Sequence, residues 1–226
     1  MFQLQRKIKI RWSSNFAYAI GLITADGCLH KDGLHISFVS KETKLIDSFK
    51  TALGLNNKTI KNFSQDRSRY WWVVGFGDKV FYQFLNSIGL TPAKSKTLKS
   101  VNVPNDFFAD FLRGLFDGDG TFYTFQDKRW PNSFGFRLSF ASASRDFIGW
   151  LREKLAHFYD VKGFIKTGKG VLNLDYTKGD SRRLVNAMYY KNNLLRLERK
   201  YKYIKHILIL DEKFGIKSLQ KQRKPR

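Results

Sequence analysis

A nine-residue stretch, AIGLITADG at residues 19–27, recurs in altered form as LRGLFDGDG at residues 112–120. Each copy contains two small residues four positions apart, and this spacing places them on one face of a helix. They are Gly21 and Ala25 in the first copy, and Gly114 and Gly118 in the second. Two such helices can approach backbone to backbone. The repeat therefore predicts a fold built around one close helix pair.

Each copy ends with an aspartate and a glycine: Asp26 before Gly27, and Asp119 before Gly120. The glycines predict helix ends, because glycine adopts the left-handed conformation at low cost. The aspartates are unexpected there, since a carboxylate at a helix C-terminus meets the negative end of the helix dipole. If the helices pair, the two carboxylates lie side by side, which suits divalent metal ions and phosphate chemistry. The alternative is a local role in which each carboxylate bonds to nearby backbone.

Both stretches resemble the LAGLIDADG motif, and the chain resembles a monomeric two-motif LAGLIDADG homing endonuclease. The resemblance implies an α+β fold of two pseudo-symmetric αββαββα repeats. Paired motif helices form the interface, and antiparallel sheets form a DNA-binding saddle. It also implies that Asp26 and Asp119 are catalytic and bind Mg²⁺ or Mn²⁺, with Ca²⁺ as a substitute that supports no cleavage. Ala25 and Gly118 complete the predicted metal ligands.

A basic residue near each aspartate would offset phosphate charge or position a water molecule. The family often places a lysine in this region, and alignment of the strings KSKTL and KYKYI selects Lys94 and Lys200 as catalytic candidates. Lys96 and Lys202 are the next candidates. Ordinary surface lysines are the alternative at each position.

The rest of the chain repeats in the same order. A helical stripe recurs 102 residues later; it is Ile46, Phe49 and Leu53, then Ile148, Leu151 and Leu155. We predict an N-terminal repeat at 1–92, a linker at 93–104, a C-terminal repeat at 105–210 and a basic tail at 211–226. Expected helix caps are Asp78, then Asn105 or Asp106, and Asp180. Thr24 in the first motif stands where the second has Asp117, so the two sites can be unequal.

The charge of the chain indicates a polyanionic partner. Among 226 residues, 41 are Lys or Arg and 19 are Asp or Glu, which gives a formal net charge of +22. The aromatic fraction of 16% is too high for a disordered basic tail. Double-stranded DNA is the first interpretation, and an anionic membrane surface is the alternative.

Several features favour an intracellular protein. No run of 18 apolar residues predicts a membrane span, and the N-terminus lacks the apolar core of a secretory signal. Cys28 is the single cysteine, so no internal disulfide can form, which fits a reducing compartment. We expect a monomer in the cytoplasm or an organelle matrix.

The resemblance assigns the hairpins to the DNA major groove, where alternate strand residues can read base edges. Candidate DNA-binding residues are polar or basic and lie on strands or loop tips: His30, Lys31, His35, Ser37, Ser40, Arg67, Arg69, Arg129, Arg137, Ser142, Lys166 and Lys169. For Ser40 and Ser142, capping of the following helices is slightly favoured over a role in ordering water at the active site. For each basic residue, a solvated surface position is the alternative.

The predicted function is site-specific cleavage of both DNA strands at a long, non-palindromic target, because the two halves differ in sequence. Two alternatives stay open. One is a maturase that assists the splicing of its own intron RNA, alone or in addition. The other is a DNA-binding regulator without catalysis, although both motif acids are present.

Overall fold

The computed structural model describes residues 8–126 and 134–222 of the chain. Within these ranges two four-stranded antiparallel sheets carry helices on one face each, and each sheet comes from one half of the sequence. The predicted α+β fold of two pseudo-symmetric repeats is thus confirmed.

The first repeat follows the predicted order. Its elements are α1 (Ser14–Asp26), β1 (Gly27–Leu29), β2 (His35–Ser40), α2 (Thr43–Leu53), β3 (Thr59–Phe63), β4 (Tyr70–Gly77) and α3 (Lys79–Ser87). The strands lie in the order β1-β2-β4-β3. Alternate residues such as Ile36 and Phe38 are buried toward the helices, which leaves the opposite face of the sheet free of helices. The Asp78 carboxylate caps α3 by accepting a 2.9 Å hydrogen bond from the Phe81 amide, as predicted.

The second repeat has the same topology. Its elements are α4 (Phe108–Asp119), β5 (Thr121–Gln126), β6 (Phe134–Ser142), α5 (Arg145–Tyr159), β7 (Phe164–Thr167), β8 (Leu172–Tyr176) and α6 (Lys178–Met188). The strand order β5-β6-β8-β7 matches that of the first sheet. The matching order supports a duplicated unit.

Two predicted helix caps are wrong. Asn105 and Asp106 lie in a short 3-10 turn, after which α4 begins without a side-chain cap. Asp180 lies in the first turn of α6, whose N-cap residue is Thr177. The Asp180 carboxylate instead accepts a 3.1 Å hydrogen bond from the Lys162 amide, so it joins α6 to a neighbouring loop.

A further helix, α7 (Glu198–Gln222), extends the second repeat. The predicted boundary between residues 210 and 211 falls inside this helix, so the predicted separate tail does not start at a break in structure. The helix forms because Ile204, Ile207 and Leu208 recur at helical spacing and are buried. None of the helices in the described ranges has the length and apolarity that crossing a membrane requires.

Helices α1 and α4 pack against each other along their small residues. A Cβ atom on Gly21 would lie 2.1 Å from the Phe111 carbonyl oxygen. A Cβ atom on Gly114 would lie 2.1 Å from the Tyr18 carbonyl oxygen. Only glycine fits at such a distance, because real Cβ atoms do not approach backbone oxygen so closely. This contact joins the two repeats and brings the two motif C-termini together.

Candidate active site

The motif helices end at glycines, but for a reason the sequence did not indicate. Gly27 and Gly120 have φ angles of −80° and −73°, so the predicted left-handed conformation is wrong. A Cβ atom on Gly27 would lie 2.6 Å from the Cα of Ile23, and one on Gly120 would lie 2.3 Å from Cδ2 of Phe116. At both positions a side chain would collide with the preceding helix, so glycine is required. Its absence of a side chain lets the chain turn directly from each helix into a strand.

The two motif aspartates lie at adjoining helix ends. A Cβ atom on Gly118 would lie 3.2 Å from Oδ2 of Asp26 and 2.4 Å from Cβ of Ala25, so the Asp26 carboxylate reaches the end of α4. Asp26 is half-buried and Asp119 is exposed. Within residues 8–126 and 134–222, neither carboxylate accepts a hydrogen bond or forms an ion pair. In the described part of the chain, therefore, neither carboxylate makes the bond to nearby backbone that the alternative interpretation expects.

Both aspartates have raised pKa values. Burial raises the pKa of Asp26 to about 6; the neighbouring Asp119 carboxylate adds to the increase, while Lys94 and Lys200 oppose it. Although Asp119 is exposed as a residue, protein packed around its carboxyl group desolvates it and raises its pKa, and the two lysines again oppose the increase. The pair thus forms a site where a cation would remove an unfavourable interaction between like charges.

Each aspartate is followed by a carbonyl that accepts a hydrogen bond from one of the predicted lysines. Lys94 is buried, and its ammonium donates to the Gly27 carbonyl at 2.7 Å. Lys200, in the first turn of α7, donates to the Gly120 carbonyl at 2.6 Å and to the Phe116 carbonyl at 2.7 Å. The two lysines therefore occupy corresponding positions in the two repeats.

The electrostatics distinguish these two lysines from their neighbours. Burial lowers the pKa of Lys94, and Asp119 and Asp26 partly offset that decrease. Burial likewise lowers the pKa of Lys200. In contrast, Lys96 and Lys202 are exposed. The structure thus brings Lys94 and Lys200, and not the next candidates, close to the aspartate pair.

The residues present fit a divalent cation. No group of three or more His, Cys, Asp or Glu side chains in the described part of the chain could hold a metal ion. A cation between Asp26 and Asp119 would therefore need further oxygen ligands from backbone, water and phosphate, the set that Mg²⁺ commonly uses. The predicted ligand Gly118 is partly engaged, because its carbonyl lies 3.3 Å from the Lys200 ammonium.

The additional acid of the second motif has a structural role. Asp117 is buried and accepts hydrogen bonds from the Leu197 amide at 2.7 Å, the Tyr18 hydroxyl at 2.8 Å and the Tyr189 hydroxyl at 3.3 Å. Thr24, at the matching position of the first motif, donates only to its own helix backbone. This difference ties the segment before α7 to α4 and helps to place Lys200.

A buried arginine that the sequence analysis missed extends this network. Arg113 is fully buried and forms a 2.8 Å ion pair with Asp110. It also donates 2.9 Å hydrogen bonds to the Met188 and Leu195 carbonyls. The signal was an arginine inside the motif helix, three residues after Asp110 and between apolar neighbours. Arg113 therefore holds the chain between α6 and α7 against α4.

The predicted capping role of Ser40 and Ser142 is wrong. Each hydroxyl oxygen accepts a 3.1 Å hydrogen bond from the amide two residues later, at Glu42 and Ser144. These bonds form turns ahead of α2 and α5, and Ser144 is the residue that caps α5. Ser142 lines the cavity that also contains Asp119. Ser142 thus lies near the candidate site, and the role in ordering water that the resemblance implied stays a prediction.

Comparisons with known proteins agree with this geometry. A family profile described as a LAGLIDADG-like domain matches residues 106–211. The solved structure of the LAGLIDADG meganuclease I-AabMI bound to uncleaved DNA is similar, with a TM-score of 0.62 and 13% identity over 89% of this chain and 92% of that chain. The chain therefore has the LAGLIDADG fold, and its C-terminal half matches the family model. No curated protein sequence matches it.

Two further solved structures share the LAGLIDADG fold of this protein. I-DmoI in complex with DNA and Mn has a TM-score of 0.51 and 17% identity over 79% of this chain and 98% of that one. The N-terminal LAGLIDADG domain of DUF199/WhiA has a TM-score of 0.55 and 16% identity over 88% of this chain and 99% of that one. At these identities the likeness concerns the fold.

Four DNA-binding candidates of the first repeat lie in or beside its first hairpin: His30, Lys31, His35 and Ser37. Nε2 of His30 lies 3.1 Å from Oγ of Ser37, and Nδ1 of His35 lies 2.6 Å from Oδ2 of Asp32. Lys31 is exposed in the turn between the strands. These contacts orient both imidazole rings at the helix-free side of the LAGLIDADG fold.

The candidates of the second repeat include two ordered cations. The Arg137 guanidinium lies 4.8 Å from the Phe125 ring centre, and the Lys166 ammonium lies 2.9 Å from Oδ2 of Asp175. Three further candidates are exposed in loops: Arg67 and Arg69 in the first repeat, and Lys169 in the second. Arg129 lies outside the described residues. The described candidates are therefore spread over both sheets, and Ser142 is the one that shares a cavity with Asp119.

Proposed function

We propose that this protein is a site-specific DNA endonuclease that hydrolyses phosphodiester bonds in both strands with divalent metal ions. The observation that carries the proposal is the pair of Asp26 and Asp119 at adjoining helix ends. Within the described chain these carboxylates have no hydrogen bond or ion pair, although two lysines lie nearby. Similar folds solved with DNA, one of them with Mn, support the choice of substrate and cofactor.

Asp26 and Asp119 would hold Mg²⁺ or Mn²⁺, with the carbonyls of Ala25 and Gly118 as further ligands. When bound, such ions activate water and stabilise the departing oxygen at a scissile phosphate. The aspartates must be ionised for this role. Because Lys94 and Lys200 lower the pKa of Asp26, they favour the ionised form at neutral pH.

The two lysines also supply fixed positive charge. Since each ammonium is anchored to a backbone carbonyl, it needs little reorganisation when negative charge develops on the phosphate. With one lysine beside each aspartate, one fixed positive charge is available for each of the two DNA strands. This arrangement supports paired cleavage of the two strands.

One chain contains both motif helices, so the proposed active form is a monomer. The close contact of α1 with α4 takes the place of a symmetric subunit interface. Because the two repeats present different side chains, the proposed target is long and non-palindromic. Binding to double-stranded DNA would use the helix-free faces of both sheets.

A selection from a randomised plasmid library tests this function. We expect Mg²⁺ to yield linear plasmids that share one long asymmetric sequence, and EDTA to yield none. Incubation with Ca²⁺ should retain the same sequences by binding without cutting them. If the protein binds DNA but Mg²⁺ produces no cut plasmid, the result would contradict nuclease activity and favour a DNA-binding protein. If the protein binds a structured RNA in a parallel assay and binds no plasmid, the result would favour the maturase.

A further inference from the structure

The helix-free faces of the two sheets match in register but differ in chemistry. In the N-terminal sheet, β1 to β4, one row across the strands is apolar: Val39, Val73 and Ile60. The corresponding row of the C-terminal sheet, β5 to β8, is mainly polar: Ala141, Asn173 and Lys166. The helix-free faces of the two sheets therefore offer different side chains to a ligand.

The next row shows the same contrast. In the N-terminal sheet Cys28 pairs with Ser37, which pairs with Gly75, so no charged side chain projects there. A Cβ atom on Gly75 would meet no other atom closer than 4.0 Å, so this part of the sheet is open. In the C-terminal sheet the position of Gly75 is taken by Asp175, which is paired with Lys166.

The apolar row is open to a ligand. Ile60 is 55% exposed, although isoleucine on a strand is usually buried. Val39 and Val73 are half-buried beside it. Exposed basic residues surround the row at the ends of β3 and β4: Lys58, Arg67 and Arg69. An apolar surface with a basic border fits the DNA major groove, where the thymine methyl group is the apolar feature.

The C-terminal sheet carries an arginine, Arg137, whose guanidinium lies against aromatic rings. The Arg137 guanidinium lies 4.8 Å from the Phe125 ring centre and 5.3 Å from that of Phe164. Asp175, an acid on the same face, is engaged by Lys166 and by the Tyr123 hydroxyl. Arg137 forms no ion pair within the described residues. Its planar donors therefore suit the two acceptors on the major-groove edge of guanine.

We propose that the two sheets read half-sites of different character: the N-terminal sheet recognises thymine methyl groups through Ile60 and Val73, and the C-terminal sheet recognises guanine through Arg137. This division rests on the DNA binding of the proposed function and does not require cleavage. It names the chemistry by which each half of the target is distinguished.

Base analogues in the selected target test the division, with binding measured in Ca²⁺. Replacement of thymine by uracil should weaken binding in one half-site by about fourfold for each contacted methyl group, and should have no effect in the other half. Replacement of guanine by 7-deazaguanine should weaken binding at least about fivefold in the other half. Ile60→Ala should reduce the uracil effect, because Val73 remains, and Arg137→Gln should abolish the 7-deazaguanine effect.

Phe63→Ala is a matched control for Ile60→Ala. Phe63 lies on the same strand and is 50% exposed, but it faces the opposite side of the sheet. This variant should keep the uracil effect. The division is overturned if both analogue effects fall in one half-site, or if they persist unchanged in the Ile60 and Arg137 variants. Failure to bind any duplex would instead refute the proposed function.

Discussion

The Lys94 ammonium donates a 2.7 Å hydrogen bond to the carbonyl of Gly27, the residue that follows Asp26. The same relation recurs in the second repeat, where Lys200 donates to the carbonyl of Gly120 at 2.6 Å. Each aspartate thus has a cation fixed nearby through the backbone, and the carboxylate oxygens stay free. This relation makes the pseudo-symmetry a feature of the proposed chemistry as well as of the fold.

Lys94→Met should lower the rate of DNA cleavage by about 100-fold, the loss typical when one fixed electrostatic group is removed from a reacting site. Because Lys94 lowers the pKa of Asp26, the variant should also need a higher pH to reach half of its maximal rate. Plasmid cleavage across a pH series measures both effects. Lys96→Met, which removes an exposed lysine two residues away, should change neither.

Asp26→Asn should stabilise the metal-free protein at pH 8 by about 2 kcal/mol, allowing for solvent screening. The pKa of Asp26 rises from 3.8 to about 6 on folding, so the folded state holds this proton more tightly. The free energy of unfolding of the wild type therefore falls as the pH rises from about 4 through about 6, whereas the variant lacks this contribution of Asp26 to the pH dependence. Urea unfolding at pH 4 and pH 8 measures the difference. A stability difference independent of pH would contradict the account.

Mg²⁺ should remove that difference. A cation bound between Asp26 and Asp119 stabilises the folded state in proportion to its occupancy, and the unfolded chain has no such site. We expect wild-type urea midpoints to rise with Mg²⁺ at pH 8, and those of Asp26→Asn to respond much less. Equal responses would place the ion elsewhere.

Gly21→Ala should destabilise the protein by about 1 to 3 kcal/mol or more, because the new methyl group overpacks the contact of α1 with α4. The Cβ atom would lie 2.1 Å from the Phe111 carbonyl oxygen. Gly149→Ala, inside α5, is a matched control, because a Cβ atom there meets no atom within 4 Å. It should stabilise by up to about 1 kcal/mol. Thermal or urea unfolding of both variants measures the contrast.

Asp117→Asn and Asp119→Asn should separate structure from catalysis within one motif. The first replaces the charged acceptor by an amide whose one oxygen serves the Leu197 amide and the Tyr18 hydroxyl while its NH2 group faces the Tyr189 hydroxyl, and should cost about 1 to 3 kcal/mol of stability. The second removes a carboxylate without hydrogen bonds in the described chain, and should keep or raise stability while abolishing cleavage. Unfolding curves beside cleavage assays distinguish them; the reverse pattern would exchange the two roles.

Much of the fold could be predicted because the decisive contacts are local or repeated. The small residues Gly21 and Gly114 specify the helix pair through spacing alone. The register of the repeat also led to Lys94 and Lys200, although they lie far along the chain from the aspartates that they approach.

The rest depends on tertiary contacts that no local pattern encodes. Gly27 is required by its contact with Ile23, and not by a left-handed turn. Arg113 is buried because carbonyls from a distant segment surround it. Helix α7 did leave a signal in the spacing of Ile204 and Leu208, but the basic residues around them obscured it.

Binding and cleavage of the selected target by Asp26→Asn and Asp119→Asn test the central claim most directly. We expect each variant to bind the DNA in Ca²⁺ as tightly as the wild type and to make no double-strand break in Mg²⁺. Full cleavage by either variant would contradict the assignment of these two carboxylates as the ligands of the catalytic metal ions.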